Sequence, residues 1–206
     1  FRQANDGDLW VNGFNEWAVE VRADVPTRQL IADWGKAVEA FLVLAARLSD
    51  DEWTSKKVEW VAGEIGVRYL VQSRIIEWWF HQEDTREGAG LEGNPQHDPV
   101  YLVNDMAIRM LPWALGQAGL SFPGLSIQVD LEGVGEGTWH WGLEPRTSPP
   151  QDKKPDAFIN GRGTAFALVA GRRVVADTYL DDGDLVVGGD EALAIVMLEH
   201  LRAFVE

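Results

Sequence analysis

Residues 126–141, SIQVDLEGVGEGTWHW, decide the fold class of the second half of the chain. Ser126 to Leu131 alternates with period two, Gly133 to Gly137 turns, and Thr138 to Trp141 alternates again. That pattern predicts an antiparallel hairpin with one face turned to a core. Toward the C terminus, 145–155 reads as a loop, 156–160 as a candidate strand, 163–171 as a short helix and 184–187 as a last strand. Gly188 and Gly189 then turn into a helix over 190–204 with Asp190 as its N-cap. On the other side of the hairpin, 98–119 reads as a helix, with Asp98 as N-cap and Pro99 at the first helical position. The second half is therefore predicted to be α+β, with helices packed on one antiparallel sheet.

The run Gly93-Asn94-Pro95-Gln96-His97-Asp98-Pro99 is the strongest breaker, and a domain boundary is expected there. Upstream the pattern is helical. Trp10, Phe14 and Trp17 suggest a short amphipathic helix. Leu30, Ile31, Trp34, Val38, Phe41, Leu42 and Ala45 recur at steps of three and four, which predicts a helix over about 26–49. A turn at Ser49 to Asp51 leads to a second long helix over about 62–87, closed by Gly88 and Gly90. These helices are expected to be parts of a bundle spanning 1–92, followed by an α+β domain over 98–206.

The 206 residues are 46% hydrophobic and 25% charged, an ordinary globular balance. With 18 Lys and Arg against 33 Asp and Glu the formal net charge is −15, so phosphate backbones and anionic lipid surfaces are repelled and no nucleic-acid or membrane partner is expected. The chain has no Cys, which excludes disulfides and a thiolate of its own, so any thiol chemistry needs a thiol supplied in trans. No run approaches the roughly 20 apolar residues of a membrane helix, and the expected location is cytoplasmic.

The chemistry concentrates between Arg74 and Asp84. Glu77 and His81 lie one helical turn apart on one face, with Arg74 a turn before and Asp84 a turn after. A carboxylate and a neutral imidazole at that spacing can both reach one Zn²⁺ at about 2.0–2.2 Å. The same stripe also suits the solvent face of an amphipathic helix; against that, Ile75, Ile76, Trp78, Trp79 and Phe80 make the stripe narrow and flank it with groups that seek burial. The other histidines are poor third ligands. His97 sits in the breaker, His140 points away from Trp139 and Trp141 toward either the surface or a pocket, and His200 lies beside Glu199 on the last helix. Arg172 and Arg173 read, from their own surroundings, as two solvated arginines at a turn. The run Asp181, Asp182, Asp184 lacks the oxygen spacing of a calcium loop.

The segment Arg74 to Gly90, with Glu77, Trp78, Trp79, His81, Glu83, Asp84 and Arg86, resembles the second metal-binding helix of the mycothiol-dependent maleylpyruvate isomerase family of DinB-like bundles. Trp139, His140, Trp141, Gly142 and the ending Val187 to Asp190 resemble that family's sterol-carrier-like C-terminal domain. The resemblance implies a partial DinB-like bundle followed by a sterol-carrier-like domain. It implies Glu77 and His81 as ligands of a divalent metal, with zinc expected and a third ligand on a helix upstream of Phe1, since no His precedes Glu77. It further implies mycothiol or a similar thiol as co-substrate, and Arg172 as the arginine that reaches the active site. The implied function is a metal-dependent isomerase or S-transferase acting on a small activated substrate, with homodimer formation left open. A non-catalytic module holding an apolar ligand in a Trp-rich cleft is the alternative.

Overall fold

The computed structural model describes residues 9–60, 63–144 and 153–203. The chain divides into two compact units, residues 1–71, with residue 206 grouped with them, and residues 72–205.

The first unit holds α1 (Leu9–Glu20), α2 (Thr27–Ala46), α3 (Asp50–Ser55), β1 (Lys57–Trp60), β2 (Gly63–Gly66) and the first turn of α4 (Val67–Gly88). The two expected amphipathic helices are present as α1 and α2. Ser49 caps α3 with a reciprocal box: its hydroxyl accepts from the Glu52 amide, and the Glu52 carboxylate accepts from the Ser49 amide. The expected long helix does not begin at about 62. Instead β1 and β2 pair antiparallel, with Val58 opposite Ile65, and α4 starts only at Val67. Lys57 and Glu64 form a 2.9 Å ion pair across these two strands. No residue of α2 is buried, although Ile31, Trp34 and Leu44 are large and apolar.

The second unit contains the rest of α4, then α5 (His97–Gln117), β3 (Ser126–Glu132), β4 (Gly137–Gly142), β5 (Ala157–Arg162), α6 (Gly163–Ala170), α7 (Ala176–Asp182), β6 (Leu185–Gly189) and α8 (Glu191–His200). The sheet order is β4-β3-β5-β6. The hairpin β3–β4 is antiparallel as expected, with Val129 opposite Trp139. β5, however, runs parallel to β3, so the sheet is mixed and not purely antiparallel. Alternation in a strand decides which side chains face the core and says nothing of the neighbour's direction.

Ile127, Val129, Leu131, Trp139, Ala157, Ile159 and Leu185 form the inner face and are buried, and α5, α6 and α8 pack there. The outer face carries Gln128, Asp130, His140, Phe158 and Asn160, all half-exposed. Asp190 caps α8 as expected, accepting from the Leu193 amide at 3.1 Å, and the helix ends at His200. α5 starts one residue before the expected cap: Gln96 is the N-cap residue and makes no side-chain capping bond.

The expected boundary at 93–98 falls inside the second unit. The connector there is tied to α4, since the Asn94 amide donates to both Glu83 oxygens and Arg86 Nε donates to the Glu92 carbonyl at 2.6 Å. A buried carboxylate ties further elements together. Asp105, 8% exposed on α5, accepts from Arg109 Nε at 2.8 Å, Trp139 Nε1 at 3.2 Å and Gln72 Nε2 at 3.3 Å.

Candidate functional site

α4 positions the candidate site because its apolar side is anchored. Ile76, Trp79 and Phe80 are buried, with Trp79 and Phe80 ring centroids 4.8 Å apart. Burial of that side leaves Glu77, His81 and Asp84 on a common, wetter face. The surround is less enclosed than the sequence suggests: the His81 side chain is 71% exposed, while Glu77 is 31% and Asp84 39% exposed.

His81 lies between two carboxylates. Its Nε2 is 3.5 Å from Glu77 Oε2 and its Nδ1 is 3.7 Å from Asp84 Oδ2. Arg74 Nη2 approaches the other Glu77 oxygen at 3.7 Å. Asp84 is in turn held by Arg173, whose Nε and Nη2 donate to Oδ1 at 3.0 Å and Oδ2 at 2.7 Å. That two-point guanidinium contact keeps the Asp84 carboxyl below the usual carboxylate range, with the His81 ring a smaller contributor.

Two donors bound to one tetrahedral zinc at about 2.1 Å stand roughly 3.4 Å apart, and the 3.5 Å between His81 Nε2 and Glu77 Oε2 matches that span. Asp84 faces the other ring nitrogen and cannot share an ion with Nε2. It stands 3.7 Å from Nδ1, on the side of the ring away from Glu77. Glu77 and His81 therefore fit as two of the donors of a divalent metal. Among the described residues, no group of three or more His, Cys, Asp or Glu is arranged to hold one.

Arg172 and Arg173 occupy the turn after α6 and differ sharply. Arg172 is exposed, adopts φ 56°, and among the described residues nothing pairs with its side chain. Arg173 is the residue that joins the site; besides Asp84 it lies 4.5 Å over the Phe80 ring. The reading of both as solvated arginines missed this, and the only signal was the acidic residue at the end of the stripe. The remaining histidines stay apart. His97 pairs with Asp98 at 3.0 Å, His140 Nε2 lies 3.2 Å from Ser126 Oγ on the outer face of the sheet, and His200 ends α8.

No family model and no curated protein matches the chain. Among solved structures, sterol carrier protein 2 from Yarrowia lipolytica, in its apo form, aligns at 12% identity with a TM-score of 0.34, covering 52% of this chain and 91% of that one. Sterol carrier protein 2 like 2 from Aedes aegypti aligns at 16% identity with a TM-score of 0.37, covering 48% and 95%. A UbiJ-SCP2 ubiquinone synthesis protein aligns at 15% identity with a TM-score of 0.32, covering 48% and 83%. Likeness at this level carries no argument about what this chain binds. None of these matches is a DinB-like bundle or a maleylpyruvate isomerase. What stands on the chain's own topology is a mixed α+β architecture, and among the described residues no helix is long and apolar enough to cross a membrane.

Proposed function

We propose that this chain belongs to a thiol-dependent metalloenzyme that isomerises, or transfers sulfur to, a small activated substrate, in the manner of the maleylpyruvate isomerases. The observation that carries the reading is the placement of His81, with Glu77 at one ring nitrogen and Asp84 at the other. Glu77 and His81 are the metal ligands within the chain, and zinc is the expected ion. Bound zinc lowers the pKa of a coordinated thiol such as mycothiol, which supplies a nucleophile that a chain without Cys lacks. Asp84 orients the imidazole, and Arg74 stands beside the free side of Glu77. Arg172, charged and exposed, is the cation for a substrate carboxylate.

The finer fold reading goes with this function. Residues 1–92 would contribute part of a DinB-like bundle and residues 98–206 a sterol-carrier-like domain, supported by a four-stranded sheet with helices on one face. The protein would act in the cytoplasm on a small molecule and a thiol. The test is thiol-dependent isomerisation of maleylpyruvate by zinc-loaded protein. The expected result is turnover that needs mycothiol and falls at least about 100-fold in both Glu77→Ala and His81→Ala. Turnover indifferent to both substitutions would reject the assignment. An apolar ligand bound tightly by protein that neither binds zinc nor turns over would favour the binding-module alternative.

A further inference from the structure

We infer that Arg173 is a positioning residue of the site, acting on His81 through Asp84. The inference rests on the reading of Glu77 and His81 as metal ligands. Arg173 lies 89 positions from Asp84 in the chain and grips both of its oxygens, at 3.0 and 2.7 Å. A carboxylate held at one oxygen still swings about its terminal torsion, whereas one held at both has its plane fixed. The oxygen that accepts from Nη2, Oδ2, is also the one 3.7 Å from His81 Nδ1. With the plane fixed, Oδ2 keeps one place 3.7 Å from Nδ1, and a ring drawn toward that charge turns Nε2 toward Glu77 Oε2.

The arginine is itself held. Its guanidinium covers the buried Phe80 ring at 4.5 Å, its amide donates to the Leu168 carbonyl at 3.0 Å, and Gly171 approaches Phe80 so closely that any Cβ there would run into the ring. The preceding residue, Arg172, is kept at φ 56° between these attachments. An exposed ion pair whose only role is to tie α4 to the turn contributes little to folding, and lysine or a reversed pair serves that role nearly as well. Fixing a carboxylate plane needs the planar fork of arginine and the carboxylate on α4.

The experiment compares wild type, Arg173→Lys and the exchanged pair Asp84→Arg with Arg173→Asp. Three quantities are read: melting temperature, the ring order of His81 in metal-free protein from NOEs of its two ring protons, and the affinity for Zn²⁺. The expected result is one ring orientation in wild type and averaged orientations in both variants. Zinc affinity should be about 10- to 100-fold weaker in both, with melting temperatures within about 4 °C of wild type. An averaged ring in wild type, or wild-type ring order and zinc affinity in either variant, would overturn the inference. Wild-type protein that binds no zinc, yet has an ordered ring lost in Arg173→Lys, would reject the metal reading and leave Arg173's control of His81 standing.

Discussion

Asp105→Asn should cost this protein more stability than its conservative appearance suggests. The side chain is 12% exposed and accepts from three donors: Trp139 Nε1 at one oxygen, and Arg109 Nε and Gln72 Nε2 at the other. An amide of the same shape must aim its NH₂ at one of these groups. The milder orientation keeps the carbonyl toward Arg109 and Gln72 and faces the NH₂ toward the Trp139 indole N–H, leaving that buried donor unsatisfied at about 1–3 kcal/mol. Losing the charge at the Arg109 bond removes about 0.5–1 kcal/mol more, a reduced figure because the arginine side chain is 37% exposed. The sum is about 1.5–4 kcal/mol, or about 3–16 °C in the melting temperature of a domain of this size. Thermal unfolding followed by circular dichroism measures it, and Trp139→Phe supplies the second side of a double-mutant cycle. With the indole donor gone, the Asn penalty should shrink by about 1–3 kcal/mol. An Asp105→Asn protein melting within 2 °C of wild type, or an equal penalty in both backgrounds, would show that the Trp139 donor does not depend on the Asp105 carboxylate.

Arg172→Gly should leave melting unchanged or raise it by up to about 1 kcal/mol, because φ 56° is strained for arginine and natural for glycine; a clear loss of stability would show that the arginine side chain supports the fold. Gly171→Ala should destabilise by about 1–3 kcal/mol, since the new methyl runs into the Phe80 ring; the Phe80 ring-proton shifts should move with it, and unmoved shifts would contradict the packing described. Asp156, whose carboxyl is held below its ordinary range first by Lys153 and then by the Ser126 amide, should contribute about 1–2 kcal/mol at neutral pH. Because its folded pKa is depressed, that contribution is present above the unfolded value of 3.8 and is lost as pH falls through the lower folded value. Urea unfolding of wild type and Asp156→Asn should therefore converge in acid, and a gap that stays constant from neutral pH down to the acid limit of folding would argue against an ionised Asp156 as its source.

The parts of this fold that local pattern controls were legible in the sequence. The hairpin 126–142, helix α2 and the Asp190 cap each follow from periodicity or capping chemistry within one segment. The pairing of β1 with β2 was not legible, because strands of four residues are too short to separate period two from a helical repeat. The parallel partner of β5 depends on where the chain returns to the sheet, which alternation does not encode. At the site, spacing placed Glu77, His81 and Asp84 on one face. It did not disclose how open that face is, since exposure depends on what packs beside it. Arg173 was missed because its partner lies 89 residues away, beyond any local pattern.

Calorimetric titration of Zn²⁺ into the metal-free protein at neutral pH shows whether Glu77 and His81 together bind a divalent metal. Saturable binding at one ion per chain is expected, weakened at least about 10-fold by Glu77→Ala and by His81→Ala, and unchanged by His97→Ala, which removes a histidine that pairs with Asp98. Zinc bound equally well by wild type and both site variants, or no binding by any of them, would contradict a metal shared by Glu77 and His81.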